Sequence, residues 1–163
     1  IPTPPIPSQM PAPPWSSWEK WLQSPPGRYV LNWEQQCFDQ IVADVFGFHA
    51  VQIGLPQINT LSENRMPLQV LLIHANDNRT HAGRFKWHLI EANSTELPFA
   101  SESLDLIVLP HVLEFASDPH QILREVDRVL RPEGRLIISG FNPASLWGAR
   151  QYLSRLIGSP YLP

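Results

Sequence analysis

Residues 96–143, ELPFASESLDLIVLPHVLEFASDPHQILREVDRVLRPEGRLIISGFNP, hold an acidic turn, a strand, a capped helix, a Pro-Gly turn and a second strand in one order. Leu104 to Leu109, LDLIVL, is an almost unbroken apolar run stopped by Pro110, the pattern of a strand buried on both faces of a parallel sheet. Asp118 begins a helix: its carboxylate can accept from free amides of the first turn, Pro119 has no amide to lose there, and Gln121 stands at the capping-box position. Ile122, Leu123, Val126, Val129 and Leu130 then recur at the spacing of one apolar helix face. Pro132 and Gly134 end the helix and turn the chain into Arg135 to Gly140, RLIISG, a second short apolar run. A strand, a helix and a strand without a tight hairpin predict a right-handed crossover in a parallel sheet.

Working outward, HAVQIG (His49 to Gly54), LQVLLIH (Leu68 to His74) and KWHLIE (Lys86 to Glu91) read as three earlier strands, five in all. Asn32 to Phe46 reads as a helix with Trp33, Cys37, Ile41 and Val45 on one side. Trp15, Trp18, Trp21 and Leu22 mark a shorter helix before it, capped by Ser16 or Ser17, whose stripe packs on its own domain more readily than on a membrane or a partner. Between the first two strands, the segment from Pro56 to Pro67 leaves room for a helical turn or two. Residues 76–83 read as a polar loop, and 144–156 as a closing helix. Residues 1–14 are a Pro-rich extended arm, and 15–163 are read as one domain.

Composition narrows the function. Of the 163 residues 43% are hydrophobic and 17% charged, which fits a folded domain with a proper core. A net charge of -3 with no Lys/Arg cluster argues against nucleic-acid binding, and no run approaches the length of a membrane span. Cys37 is the one cysteine, so no internal disulfide is expected, it reads as a buried thiol, and the expected location is cytoplasmic. His74, His81 and His88 recur every seven residues but fall on different elements with no completing Cys or acid pair, so no metal site is expected. Glu114, Asp118 and Asp127 read as helix-start and solvent-face charges.

The stretch that opens this section resembles the second half of the class I methyltransferase domains that use S-adenosylmethionine, in the branch of quinone-pathway and small-molecule enzymes. LPF (Leu97 to Phe99), SLDLIV (Ser103 to Val108), HVLEF (His111 to Phe115), DP (Asp118 and Pro119), EVDRVLRPEG (Glu125 to Gly134) and LIISGFNP (Leu136 to Pro143) carry the likeness. GRYVLNWEQ (Gly27 to Gln35) and SLWGAR (Ser145 to Arg150) extend it toward a small bacterial subgroup. The resemblance implies a three-layer, Rossmann-like α/β fold with a mostly parallel sheet flanked by helices. The family's last two strands are missing, so the chain reads as a fragment whose sheet edge, Arg135 to Gly140, is open to pair two copies as a homodimer.

The resemblance also places a site at the carboxyl ends of the strands, where strand order reverses. The family's glycine-rich turn after the first strand, led by an acid, holds the methionine part of its cofactor; here it reads QIGLPQI, with Gln52 in place of the acid, Gly54 kept, and Pro56 and Ile58 in place of later glycines. Proline removes an amide donor, and a branched side chain is expected to crowd the turn. His74, with Asp77 nearby, stands where an acid grips the ribose, and Asn93, with Ser94 beside it, stands near the adenine, its amide oxygen free to accept. Pro110 and His111 line the methyl-transfer region, and His111 is the one residue nominated as catalytic base. The implied function is methyl transfer from S-adenosylmethionine to a small molecule; the alternative is a methyltransferase-like binding or regulatory module with weakened cofactor binding.

Overall fold

The computed structural model describes residue 18, residues 20–74 and residues 87–141. The arm, the 76–83 loop with Asp77 and His81, and the helix expected over 144–156 lie outside these residues. Residues 31–141 form one compact unit, which holds the sheet. Among the described residues no helix is long and apolar enough to cross a membrane.

Among the described residues five parallel strands form the sheet: β1 (His49–Ile53), β2 (Leu68–Ile73), β3 (His88–Glu91), β4 (Leu104–Pro110) and β5 (Leu130–Ser139). Their order is β3-β2-β1-β4-β5, so it reverses between β1 and β4. Helix α1 (Pro25–Ala43) precedes β1, a four-residue helix α2 (Val112–Phe115) follows β4, and α3 (Pro119–Val129) leads into β5.

Alternation along the strands fills two layers. Val51 and Ile53 of β1, Val70 and Leu72 of β2, and Ile107 and Leu109 of β4 share a cluster with Ile122, Val126 and Val129 of α3. Ala50, Leu106 and Val108 point the other way, into a cluster with Phe38 and Val42 of α1. Leu106, Ile107, Val108 and Leu109 are wholly buried, as the unbroken apolar run requires. Each such side chain contributes roughly 1.5–3 kcal/mol of transfer free energy. Asp118 caps α3 as expected, accepting from the Gln121 amide at 2.9 Å.

The LPF turn and the EVDR segment belong together physically. Glu125 Oε2 accepts the Leu97 amide at 2.8 Å, while Arg128 donates to the carbonyls of Leu97 and Phe99, each at 3.0 Å. Arg128 also donates to both oxygens of Glu125, and this pair, with the Leu97 amide, outweighs desolvation and lowers the Glu125 carboxyl to about 2.

Several expectations are corrected. Helix α1 starts at Pro25, seven residues before the predicted start, because Ser24 Oγ accepts from the Gly27 amide and the two prolines occupy first-turn positions that need no donor. Its buried face is Glu34, Phe38 and Val42, with Val45 buried just beyond the helix, whereas Trp33 and Ile41 are more than half exposed and Cys37 is only partly buried. The 56–67 segment forms the single turns expected there, closed by Ser62 N to Asn59 O and Asn64 N to Leu61 O, and no longer helix. Strand β5 begins at Leu130 rather than Arg135: Leu130 pairs with Leu104, Arg135 with Leu106, and the RPEG residues bulge between them.

Candidate functional site

The tips of β1, β2 and β3 lie side by side, so Gly54, His74 and the Asn93–Ser94 pair stand in a row along the carboxyl edge of the sheet. The tip of β4, with Pro110 and His111, flanks β1 on its other side, at the reversal of strand order.

Gly54 adopts φ +73, and a Cβ there would come within 3.1 Å of Val112 Cγ2. The positive φ favours glycine, and a Cβ would press on Val112. Leu55 follows with φ 47, a left-handed value that a leucine rarely adopts. The loop is held in this shape from below. Gln52 is wholly buried, and its Nε2 donates to the carbonyls of Gly54, Leu55 and Ile58 at 3.0, 3.0 and 3.1 Å. Its Oε1 accepts from Thr60 N at 2.9 Å and Thr60 Oγ1 at 2.7 Å. Three carbonyls need a donor, and a carboxylate has none; that is the physical reason for glutamine where the family has an acid.

Two sequence expectations change here. Gln52, expected to bind the cofactor, has no surface to offer a ligand and acts through the loop it fastens. Ile58, expected to crowd the turn, is buried in the cluster between the sheet and α1.

At the tip of β2, His74 Nε2 lies 3.1 Å from Ser94 Oγ, joining the ends of β2 and β3. Asn93 is exposed, but its Oδ1 already accepts from Thr95 N at 3.0 Å and Thr95 Oγ1 at 2.9 Å. The acceptor expected to meet adenine is therefore occupied within the chain. His88 pairs with Val70 near the opposite end of β2 from His74, and among the described residues no group of three metal-ligating side chains occurs.

His111 is 3% exposed and sits at φ 54 in the turn between β4 and α2. Its amide donates to Ser139 O at 3.0 Å. Its Nε2 lies 2.8 Å from Glu34 Oε1, and its Nδ1 lies 3.2 Å from both oxygens of Glu114. Burial alone would lower its pKa, but the hydrogen bonds and charges of Glu114 and Glu34 outweigh burial and raise it to about 9. The ring is an imidazolium near neutrality with both nitrogens engaged, so it has no lone pair for the base role expected of it. Glu114, expected as a solvent-face charge, instead joins His111 to the backbone after β5, accepting from the Phe141 amide. Glu34, missed from the sequence, is buried through its place in the α1 stripe with Phe38 and Val42.

The methyltransferase-domain family model matches residues 64–138, from the turns before β2 through β5. The chain is similar to class I methyltransferases in sequence over this stretch and shares their fold. It is 32% identical over 154 residues to the uncharacterized protein YafS of Escherichia coli, covering 86% of this chain and 56% of YafS. It is 33% identical over 82 residues to the ubiquinone/menaquinone biosynthesis C-methyltransferase UbiE of Vibrio vulnificus, covering 45% of this chain and 32% of that enzyme. The chain thus spans about half or less of the length of these relatives. Among solved structures, an S-adenosylmethionine-dependent methyltransferase of Thermotoga maritima superposes with a TM-score of 0.62 at 17% identity, covering 86% of this chain and 64% of that one. The YcgJ protein of Bacillus subtilis superposes at 0.59 with 20% identity, covering 75% and 57%.

Family and fold imply S-adenosylmethionine as the cofactor. The residues present fit it at the loop after β1: Gly54, without a side chain and with a left-handed φ, presents bare backbone at the switch point, where a ligand can approach closely. They depart from the family at β2, where the His74 ring replaces a carboxylate with two acceptor oxygens.

Proposed function

We propose that this domain binds S-adenosylmethionine along the tips of β1, β2 and β3 and transfers its methyl group to a small molecule beside β4. The observation that carries the reading is the Gly54 loop at the switch point, held open by Gln52, in a chain similar to this family. The cofactor supplies a methyl group on a sulfonium, so an aligned nucleophile is the main requirement and positioning provides most of the rate.

In this reading the loop at residues 54–58 faces the methionine part, His74 and Ser94 face the ribose, and exposed Asn93 lies toward the adenine. Pro110, buried and paired with Ser139, fixes the floor between cofactor and acceptor. His111 is a positioning residue, which ties the β4 tip to α1 and to the backbone after β5.

Calorimetric titration with S-adenosylmethionine and S-adenosylhomocysteine tests the proposal. Saturable micromolar binding, lost in Gly54→Val while the circular dichroism spectrum is kept, is the expected result. No heat with millimolar ligand would remove the reading and favour a binding module without cofactor.

A further inference from the structure

Two neighbouring residues of α1 reach opposite walls of the switch point. Successive residues of a helix point about 100° apart, so Glu34 and Gln35, at one level of α1, serve different partners. Glu34 Oε1 meets His111 Nε2 at 2.8 Å, on the turn after β4. Gln35 turns to the segment after β1: its Oε1 accepts the Asn59 amide at 3.3 Å, and its Nε2 lies 2.7 Å from Asn59 O and 2.9 Å from Ser62 Oγ. Asp39, one turn further along α1, completes the clamp, since its Oδ1 lies 2.7 Å from Gln35 Nε2 and accepts from the Ser62 hydroxyl.

The far end of the segment is tied to the same helix. Asn64 is buried, and its Nδ2 donates to Val42 O at 2.8 Å and to Val45 O at 3.0 Å, carbonyls at and just past the end of α1. Residues 59–64 are therefore held to α1, and Gln52, which bonds Gly54, Leu55, Ile58 and Thr60 together, extends that hold to the Gly54 turn. The ladder between β1 and β4 ends with Gln52 and Val108, before either strand reaches its tip. Beyond that ladder, α1 is bonded to both walls.

We propose, on the methyltransferase reading above, that α1 is a strut setting the gap between the cofactor loop and the β4 tip, and that Gln35 is the positioning residue that couples them. Gln35 contacts the loop backbone and acts on the ligands only through it. Filling the cofactor site at Gly54 and Leu55 is felt at Asn59 and Gln35, and α1 carries it to Glu34 and His111 on the acceptor side. The gap matters because a misplacement of about 1 Å costs on the order of 100-fold in a reaction that depends on alignment.

NMR of the full chain tests the coupling, with Glu114→Gln as a remote disturbance of His111 and Gln35→Leu, which fills a similar volume, as the cut in the strut. Without ligand, Glu114→Gln is expected to shift the Asn59 and Thr60 amides while Gln35 is present, and to leave them in place when introduced into Gln35→Leu. With saturating S-adenosylhomocysteine, the His111 ring resonances are expected to shift in the unaltered chain and to stay in place in Gln35→Leu, whose affinity for the ligand falls about tenfold. Asn59 and Thr60 amides unmoved by Glu114→Gln alone overturn the proposal, whether or not Gln35→Leu folds. A Gln35→Leu chain that melts earlier but keeps the His111 response shows a merely structural clamp and overturns it too, leaving the methyltransferase reading intact. Shifts that travel from Glu114→Gln to Asn59 through Gln35, in a chain that binds no S-adenosylhomocysteine, support the strut and remove that reading.

Discussion

The turn before β4 and the loop after β1 are both irregular backbone that must be held still, and they are held by opposite means. At residues 97–99 a charged pair, Glu125 and Arg128, grips the turn from a partly exposed position, with side chains 14% and 37% accessible. At residues 54–58 a neutral amide does the same from complete burial. Depth decides which chemistry is stable, because a charge near water keeps its solvation and a charge in the core does not. The His111 cluster breaks that rule, being deeply buried and charged on both partners.

Gln52→Glu breaks the comparison hardest. It puts a charge without a compensating partner against three carbonyls, at an expected cost of roughly 3–5 kcal/mol, which a denaturant titration would register as a large fall in the unfolding midpoint. A variant as stable as the parent would show that the loop does not depend on a donor.

The buried charged cluster should appear in stability as a function of pH. The folded pKa of His111 is raised from 6.5 to about 9, so its contribution is fully present below pH 6.5 and is lost as pH rises toward 9. Melting temperatures measured across that window should fall in the parent and stay flatter in Glu34→Gln; identical slopes would mean that Glu34 does not hold the proton on the ring.

At the exposed clamp the sign is reversed. The folded pKa of Glu125 lies at about 2 instead of 4.5, so its contribution is present above pH 4.5 and disappears as pH falls toward 2. Arg128→Ala should lower stability only modestly, because the pair is solvated, and should flatten that acid limb. Asp118→Ala, which removes a single cap bond on α3, is the smallest change at about 1 kcal/mol, read as a shift in denaturation midpoint with an unchanged slope.

The same contrast explains what the sequence disclosed. The crossover from β4 to β5 was legible because apolar runs, a cap and a Pro-Gly turn are local signals, each complete within a few residues. The face of α1 was misread by one position. Trp33, Cys37 and Ile41 form a regular stripe, and the true stripe through Phe38 and Val42 is interrupted by a carboxylate, Glu34. That interruption becomes readable only when His111, 77 residues away in the chain, is seen beside it. Gln52 and Ile58 likewise looked like losses at the glycine-rich turn. Nothing local in the sequence says that an amide there meets three carbonyls, or that the isoleucine turns into the core.

The measurement closest to the central claim is an NMR map of the amide shifts caused by S-adenosylhomocysteine. The account predicts that the shifts concentrate at Gly54, Leu55, His74 and Ser94, the row of strand tips beside the switch point, and that they vanish in Gly54→Val. Shifts centred elsewhere, or none at millimolar ligand, would contradict it.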